Sequence, residues 1–141
     1  MPKQDIINSK PTTLFQYDMT KEGWTLVKDA FEAAPLSVDD FEPVSFLKEG
    51  EQSIKEEVML QRAKNLNANL GQRQAEYLLE CREKIPAEQR QHNFVFPGTV
   101  WRVQSGFLCV PCLFLIGGQW HLFFSRLERD WCSRSRLLRP R

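Results

Sequence analysis

The sequence predicts an α+β protein with N-terminal helices packed on a C-terminal three- or four-stranded antiparallel β-meander. Three observations predict it. Apolar residues recur at helical spacing through much of the first 85 positions, and Pro86 ends that pattern. Beyond residue 94 the chain breaks into short runs of β-favouring residues separated by Ser-Gly and Gly-Gly. A switch of hydrophobic period of this kind separates helices from an antiparallel sheet. A chain of 141 residues, 42% of them hydrophobic and with ten Phe and four Trp, has the material for one core without metal or disulfide staples. The expected organisation is a flexible arm over residues 1–13 and a single domain over 14–141. Its helical part lies at 14–90 and its meander at 94–141.

In chain order, residues 1–13 are polar, contain Pro2 and Pro11 and show no periodicity, as a loose arm does. Asp18 or Thr20 then caps an expected helix carrying Trp24, Val27, Phe31 and Ala34 on one side and stopped by Pro35. The following LSVDDFEPVSFLKEG reads as a connector broken at Pro43 and Gly50, with Ser37 and Asp40 resembling a capping box. From Glu51 to Lys84 a stripe of Ile54, Val58, Met59, Ala63, Leu66 and Leu70 continues after Gly71 through Tyr77, Leu78, Cys81 and Ile85. Two helices, or one kinked helix, fit it. NLNANLG is the weak point, because Asn is a poor helix former and Gly costs about 1 kcal/mol relative to Ala.

TVWRVQ, FLCVPCLFLI and QWHLFFSRL supply the meander. If Gly117 and Gly118 form a two-residue turn, Leu115 lies opposite Trp120, Leu113 opposite Leu122 and Pro111 opposite Phe124 on one face. Phe114 then meets His121, and Cys112 meets Phe123, on the other. The expected core contains Trp24, Phe31, Trp101, Leu113, Leu115, Trp120, Leu122 and Phe124. Both faces of 107–116 are apolar and need cover. The helices supply one side. The second must meet a curled continuation of the sheet, the connector or another molecule.

The CxxC at Cys109 and Cys112, with His121 and Cys132 beyond, invites a zinc reading. Structural zinc needs four converging ligands at compact spacing, and separations of three, nine and eleven do not provide it. Side chains alternate along a strand, so Cys109 and Cys112 point to opposite faces unless Pro111 makes a turn. A redox CxxC opens a helix, whereas this one runs into Leu113 to Ile116. No metal and no cofactor are expected. The N-terminus lacks the apolar core of a secretory signal, and Phe107 to Ile116 is too short to cross a bilayer. These features predict a cytoplasmic protein without a membrane partner, its four cysteines reduced.

No nucleophile elbow, phosphate loop, dinucleotide fingerprint or HExxH occurs, so no catalytic residue is nominated. Charge is more informative. Residues 1–61 carry six Lys and no Arg against twelve acids, whereas residues 101–141 carry seven Arg and no Lys against Glu128 and Asp130. The candidate binding residues are Arg126, Arg129, Arg134, Arg136, Arg139 and Arg141, with Trp131. They fit a non-enzymatic protein-interaction or assembly module that contacts another protein, or another copy, through an Arg-rich edge. The alternative is a small nucleic-acid-binding protein that contacts phosphates through these arginines and Arg102, with Trp131 or Trp101 for stacking. The net charge of +1 and the two acids within RLERDW favour the first. The arginines can also pair with acids of the same chain, such as Glu56 and Glu57.

Overall fold

The computed structural model describes residues 15–30 and 37–141. The expected arm over 1–13, and Phe31, Ala34 and Pro35 of the first expected helix, lie outside them. In chain order the elements are β1 (Thr25–Lys28), β2 (Phe41–Val44), β3 (Ser53–Ile54), α1 (Glu56–Asn65), α2 (Gln72–Glu80), β4 (Asn93–Val95), β5 (Val100–Arg102), β6 (Leu108–Ile116), β7 (Gln119–Arg126), β8 (Trp131–Cys132) and β9 (Ser135–Pro140). Seven strands form one curled mixed sheet in the order β1-β5-β6-β4-β9-β2, with β7 on the other side of β6. β3 and β8 pair separately.

This corrects the expected architecture of N-terminal helices on an antiparallel meander. Among the described residues three strands precede the first α-helix, the two α-helices occupy the middle of the chain, and β4 runs parallel to β9. The error at the N-terminus has a local cause. Asp18 does cap, accepting from the Thr20 N–H at 3.1 Å, but it starts only the single turn Met19–Glu22, which Gly23 ends. The next residues, Thr-Leu-Val-Lys, include two β-branched side chains and pair with β5, Leu26 opposite Trp101. A four-residue segment is too short for its period to declare itself. At the C-terminus, β9 lies between β4 and β2 instead of continuing the meander, so Leu137 and Leu138 are both buried, one on each face.

The central hairpin follows the turn chemistry. Gly117 and Gly118 sit at φ 61° and 82°, as a two-residue turn of the primed type requires, and β6 pairs with β7 without a break from Ile116↔Gln119 to Cys109↔Arg126. Pro111 makes no turn. Counting from the closing pair, Pro111↔Phe124 is a non-hydrogen-bonded pair. On its other side Pro111 passes the loop between β4 and β5, where its carbonyl accepts from the Phe96 N–H at 3.0 Å. The missing N–H therefore interrupts no ladder bond.

Each face of β6 has its own cover. Val110 and Cys112 pack with Val95, Leu137, Met59 and Ala63 of α1, the connector residues Phe46 and Ile54, and Trp131. Leu113 packs on the opposite side with Phe94, Trp120, Leu138, Ala75 and Leu78 of α2, and Ile85. Helix, connector and curled sheet thus share the task. Of the expected core, Trp101, Leu113 and Trp120 are buried, while Trp24, Leu115, Leu122 and Phe124 are partly buried.

The chain passes from one face to the other at NLNANLG. α1 ends in a Schellman motif, the Ala68 N–H donating to the Ala63 carbonyl at 2.8 Å and that of Asn67 to Lys64 at 3.1 Å, with Asn67 left-handed at φ 56°. A buried polar network then fixes α2. The Thr99 hydroxyl accepts from the Gln72 N–H and donates to Asp29, each at 2.8 Å. Trp101 Nε1 donates to Gln72 Oε1 at 2.7 Å, and Gln72 Nε2 donates to the Tyr17 carbonyl and Glu76. Glu76 also accepts the Gln16 and Tyr17 N–H groups.

Two outcomes follow. Gly98 donates its N–H to the Leu70 carbonyl at 2.9 Å, and a Cβ there would stand 2.4 Å from the Asn69 carbonyl oxygen and 2.8 Å from the Leu70 carbonyl carbon. Both are backbone atoms, so Gly98→Ala should destabilise by about 2 kcal/mol or more in urea unfolding. Arg62 holds Glu51 with two bonds of 2.5 and 3.0 Å and donates also to the Phe46 carbonyl, tying the connector to α1. That guanidinium, with the Lys48 N–H, lowers the Glu51 carboxyl from 4.5 to about 2. A depressed carboxyl contributes stability above its unfolded value and loses it as pH falls. Glu51→Gln should therefore flatten the acid side of the melting-temperature profile between pH 4.5 and about 2.

Candidate interaction surface

The C-terminal arginines divide into two sets. Arg136 donates to the carbonyls of Ser133 and Ser135 at 2.6 and 3.1 Å. Arg139 pairs with Glu42 at 2.7 Å and donates to the Leu66 carbonyl at 3.2 Å, which joins β9 to β2 and to the end of α1. Arg141 donates through Nε to the Asp39 carbonyl at 2.8 Å and through its N–H to that of Asp40 at 2.7 Å. These three brace the chain. Among the described residues the acid that pairs with one of these arginines is Glu42, not Glu56 or Glu57.

Arg126, Arg129 and Arg134 are exposed and make no ion pair among the described residues. Arg126 lies over the Phe107 ring at 4.7 Å, and Arg129 over the Trp131 ring at 4.9 Å. A planar guanidinium on an aromatic face keeps its outer edge open for a carboxylate. The neighbouring acids are occupied. Asp130 meets Lys55 at 3.1 Å, and Glu128 accepts from the Leu108 N–H at 3.4 Å. Arg102 is exposed and donates to the Gly106 carbonyl at 3.1 Å.

The tryptophans are differently placed. Trp131 is 1% exposed, its Nε1 donating to the Leu127 carbonyl at 3.0 Å, and Trp101 is 0% exposed. Neither offers an open face for stacking. Among the described residues no three His, Cys, Asp or Glu side chains converge as a metal site would need. The thiols of Cys109 and Cys112, three apart on an unbroken strand, face opposite ways.

Cys132 lies between Arg129 and Arg134 on β8 and is only partly buried. The Arg134 N–H, then its guanidinium and the charge of Arg129, hold its thiol below the ordinary value, whereas burial pushes Cys112 up to about 12. Sequence reading gave these two the same inert role. The Cys-Ser-Arg spacing was the available signal, but only the β8–β9 turn brings Arg134 back onto the sulfur. Of these two thiols, Cys132 should alkylate readily with iodoacetamide at neutral pH and Cys112 only on unfolding, as peptide mapping would read. Arg134→Ala should move the pH midpoint of Cys132 modification upward.

Two concave regions escaped the sequence as well. A cleft of about 560 Å³ separates residues 45–48 from the outer side of α1, with Leu47, Val58 and Leu66 along it. A second of about 230 Å³ lies between Arg82, Arg90 and the start of β7. Among the described residues no helix is long and apolar enough to cross a membrane. Comparison with protein-family models, with curated proteins and with solved structures yields no match.

Proposed function

We propose that this chain is a non-enzymatic protein-interaction module whose contact surface is formed by Arg126, Arg129 and Arg134 and whose partner presents carboxylates. One observation carries the reading: these three guanidiniums have no carboxylate partner among the described residues, while Arg136, Arg139 and Arg141 are engaged within the chain. Isolated like charges on a small domain repel one another and favour an anionic partner. A protein partner fits better than nucleic acid for two reasons. The two tryptophans that would stack on a single strand beside these arginines, Trp101 and Trp131, are buried. The positive groups are also interspersed with Glu128 and Asp130, a mixed pattern that sets register against one surface and repels a uniform polyanion.

The test is affinity capture of partners by the full chain and by an Arg129→Ala/Arg134→Ala variant, each titrated with salt. Both residues are exposed, so the variant should melt within a few degrees of the parent. The expected result is partner retention weakened about tenfold or more, with association slowed by salt. If the partner is nucleic acid, the salt slope should instead fall by about one for each arginine removed, and any polyanion should compete. Identical partners and identical salt behaviour in both proteins would remove this surface from the function.

A further inference from the structure

In the seven-stranded sheet three strands carry an edge that no other strand of the described residues pairs: β1, β2 and β7. Unpaired edges are templates for other chains, and natural sheets blunt them with proline, charge, bulges or brevity. β2 is four residues long and contains Pro43 and Glu42. β1 is as short, its register shifts between Leu26 and Lys28, and it ends in that lysine. Of these devices β7 has only its terminal Arg126. It runs for eight residues, QWHLFFSR, in unbroken register with β6 and carries no charge before Arg126. On its outward-facing side chains, Phe123 is 44% exposed, set edge-on to Phe114 at 5.7 Å.

We infer that β7 pairs with β7 of a second copy, antiparallel about a twofold axis at Phe123, making one sheet continuous through a dimer. Hydrogen-bond alternation selects this register. From the closing pair Ile116↔Gln119, the N–H and C=O groups of Gln119, His121, Phe123 and Ser125 turn toward β6. Those of Trp120, Leu122, Phe124 and Arg126 turn outward. With Phe123 on the axis, Leu122 lies opposite Phe124 of the second copy, and Trp120 opposite its Arg126, so all four outward residues exchange bonds. A register centred on Leu122 satisfies one residue fewer. The side chains agree with the backbone. On one face Phe123 meets itself, flanked by His121 against Ser125. On the other, half-buried Leu122 and Phe124 meet each other. The pairing is isologous and closes, and the blunted β1 and β2 edges prevent growth into fibres.

Of the three arginines of the proposed surface only Arg126 lies on β7, at its end, so the inference can be tested apart from Arg129 and Arg134. The full chain should sediment as a dimer at tens of micromolar in ~0.15 M salt, the physiological range. Phe123→Lys, which sets two ammonium groups opposite each other at the axis, should weaken self-association at least about tenfold without loss of far-ultraviolet dichroism. Phe123→Cys should form an intermolecular disulfide on mild oxidation, because non-hydrogen-bonded partners stand about 4.5 Å apart at Cα. Ser125→Cys, which faces His121 of the second copy, should cross-link no more than the parent chain with its own thiols. A monomeric parent chain would overturn the inference. So would a dimer that survives Phe123→Lys, or Phe123→Cys cross-linking no better than Ser125→Cys. The Arg129→Ala/Arg134→Ala variant should remain dimeric, which separates failure of this interface from failure of the other.

Discussion

The structure depends on β6 being apolar on both faces. A strand built as Leu-Cys-Val-Pro-Cys-Leu-Phe-Leu-Ile has no side that water tolerates, so it has to become the middle layer of a three-layer arrangement. That requirement sends α1 and α2, adjacent in sequence, to opposite faces of the sheet. The six residues between them must therefore round the sheet, not make a tight helical hairpin. Asn67 supplies the left-handed residue that ends α1, and Gly98 lets the β4–β5 loop press directly on the backbone of Asn69 and Leu70. The poor helix formers of NLNANLG are thus the chain's means of changing layers.

Apolar layers alone leave position undetermined, since Leu and Met surfaces slide over one another at small cost. The polar network at the start of α2 removes that freedom. Gln72 uses its backbone N–H and both ends of its amide, and each bond reaches a different part of the chain: the β4–β5 loop, β5, the Tyr17 segment and α2 itself. A buried amide that loses one of these bonds leaves a donor or acceptor unpaired at about 1–3 kcal/mol, so α2 has one favoured seat. Glu76, buried at the same helix face, anchors residues 16 and 17 through their backbone N–H groups. Residues otherwise held by few apolar contacts are ordered by hydrogen bonds to a helix sixty positions away.

What could be read from the sequence was local. The register of the β6–β7 hairpin follows from two glycines and alternation, and the break between α1 and α2 from Asn-rich chemistry, because turn and cap preferences act over a few residues. The placement of β9 beside β4 and β2 joins segments about forty and ninety-five positions apart, and no short-range signal encodes a parallel pairing. β1 was lost for a related reason, its Trp24 and Val27 spacing serving a helix as well as a strand entry. The candidate surface was half legible. Sequence identified the arginines and their excess over nearby acids, but not that Arg139 would find Glu42 across the sheet or that Trp131 would be sealed beneath Arg129.

The unequal charge of the two halves takes its meaning from those contacts. Arg139 with Glu42, Arg73 with Asp29 and Lys55 with Asp130 each join a residue of the first sixty to one farther along. Exposed pairs contribute little stability, with a median of about 0–1 kcal/mol, and the Lys55–Asp130 pair is of that kind. The Arg73–Asp29 pair is largely shielded and shares Asp29 with Thr99, so it belongs to the network that seats α2. Of the three pairs, only Arg139–Glu42 joins an arginine of the tail to an acid of the first half, across the pairing of the last strand with an early one. Only the charge left after such pairing is free to act on another molecule. Of the arginines from 126 onward, Arg126, Arg129 and Arg134 are exposed and without an ion pair among the described residues, two of them held over aromatic rings that restrict their motion without neutralising them. A guanidinium fixed in this way loses less freedom when it meets a carboxylate than one on a mobile side chain.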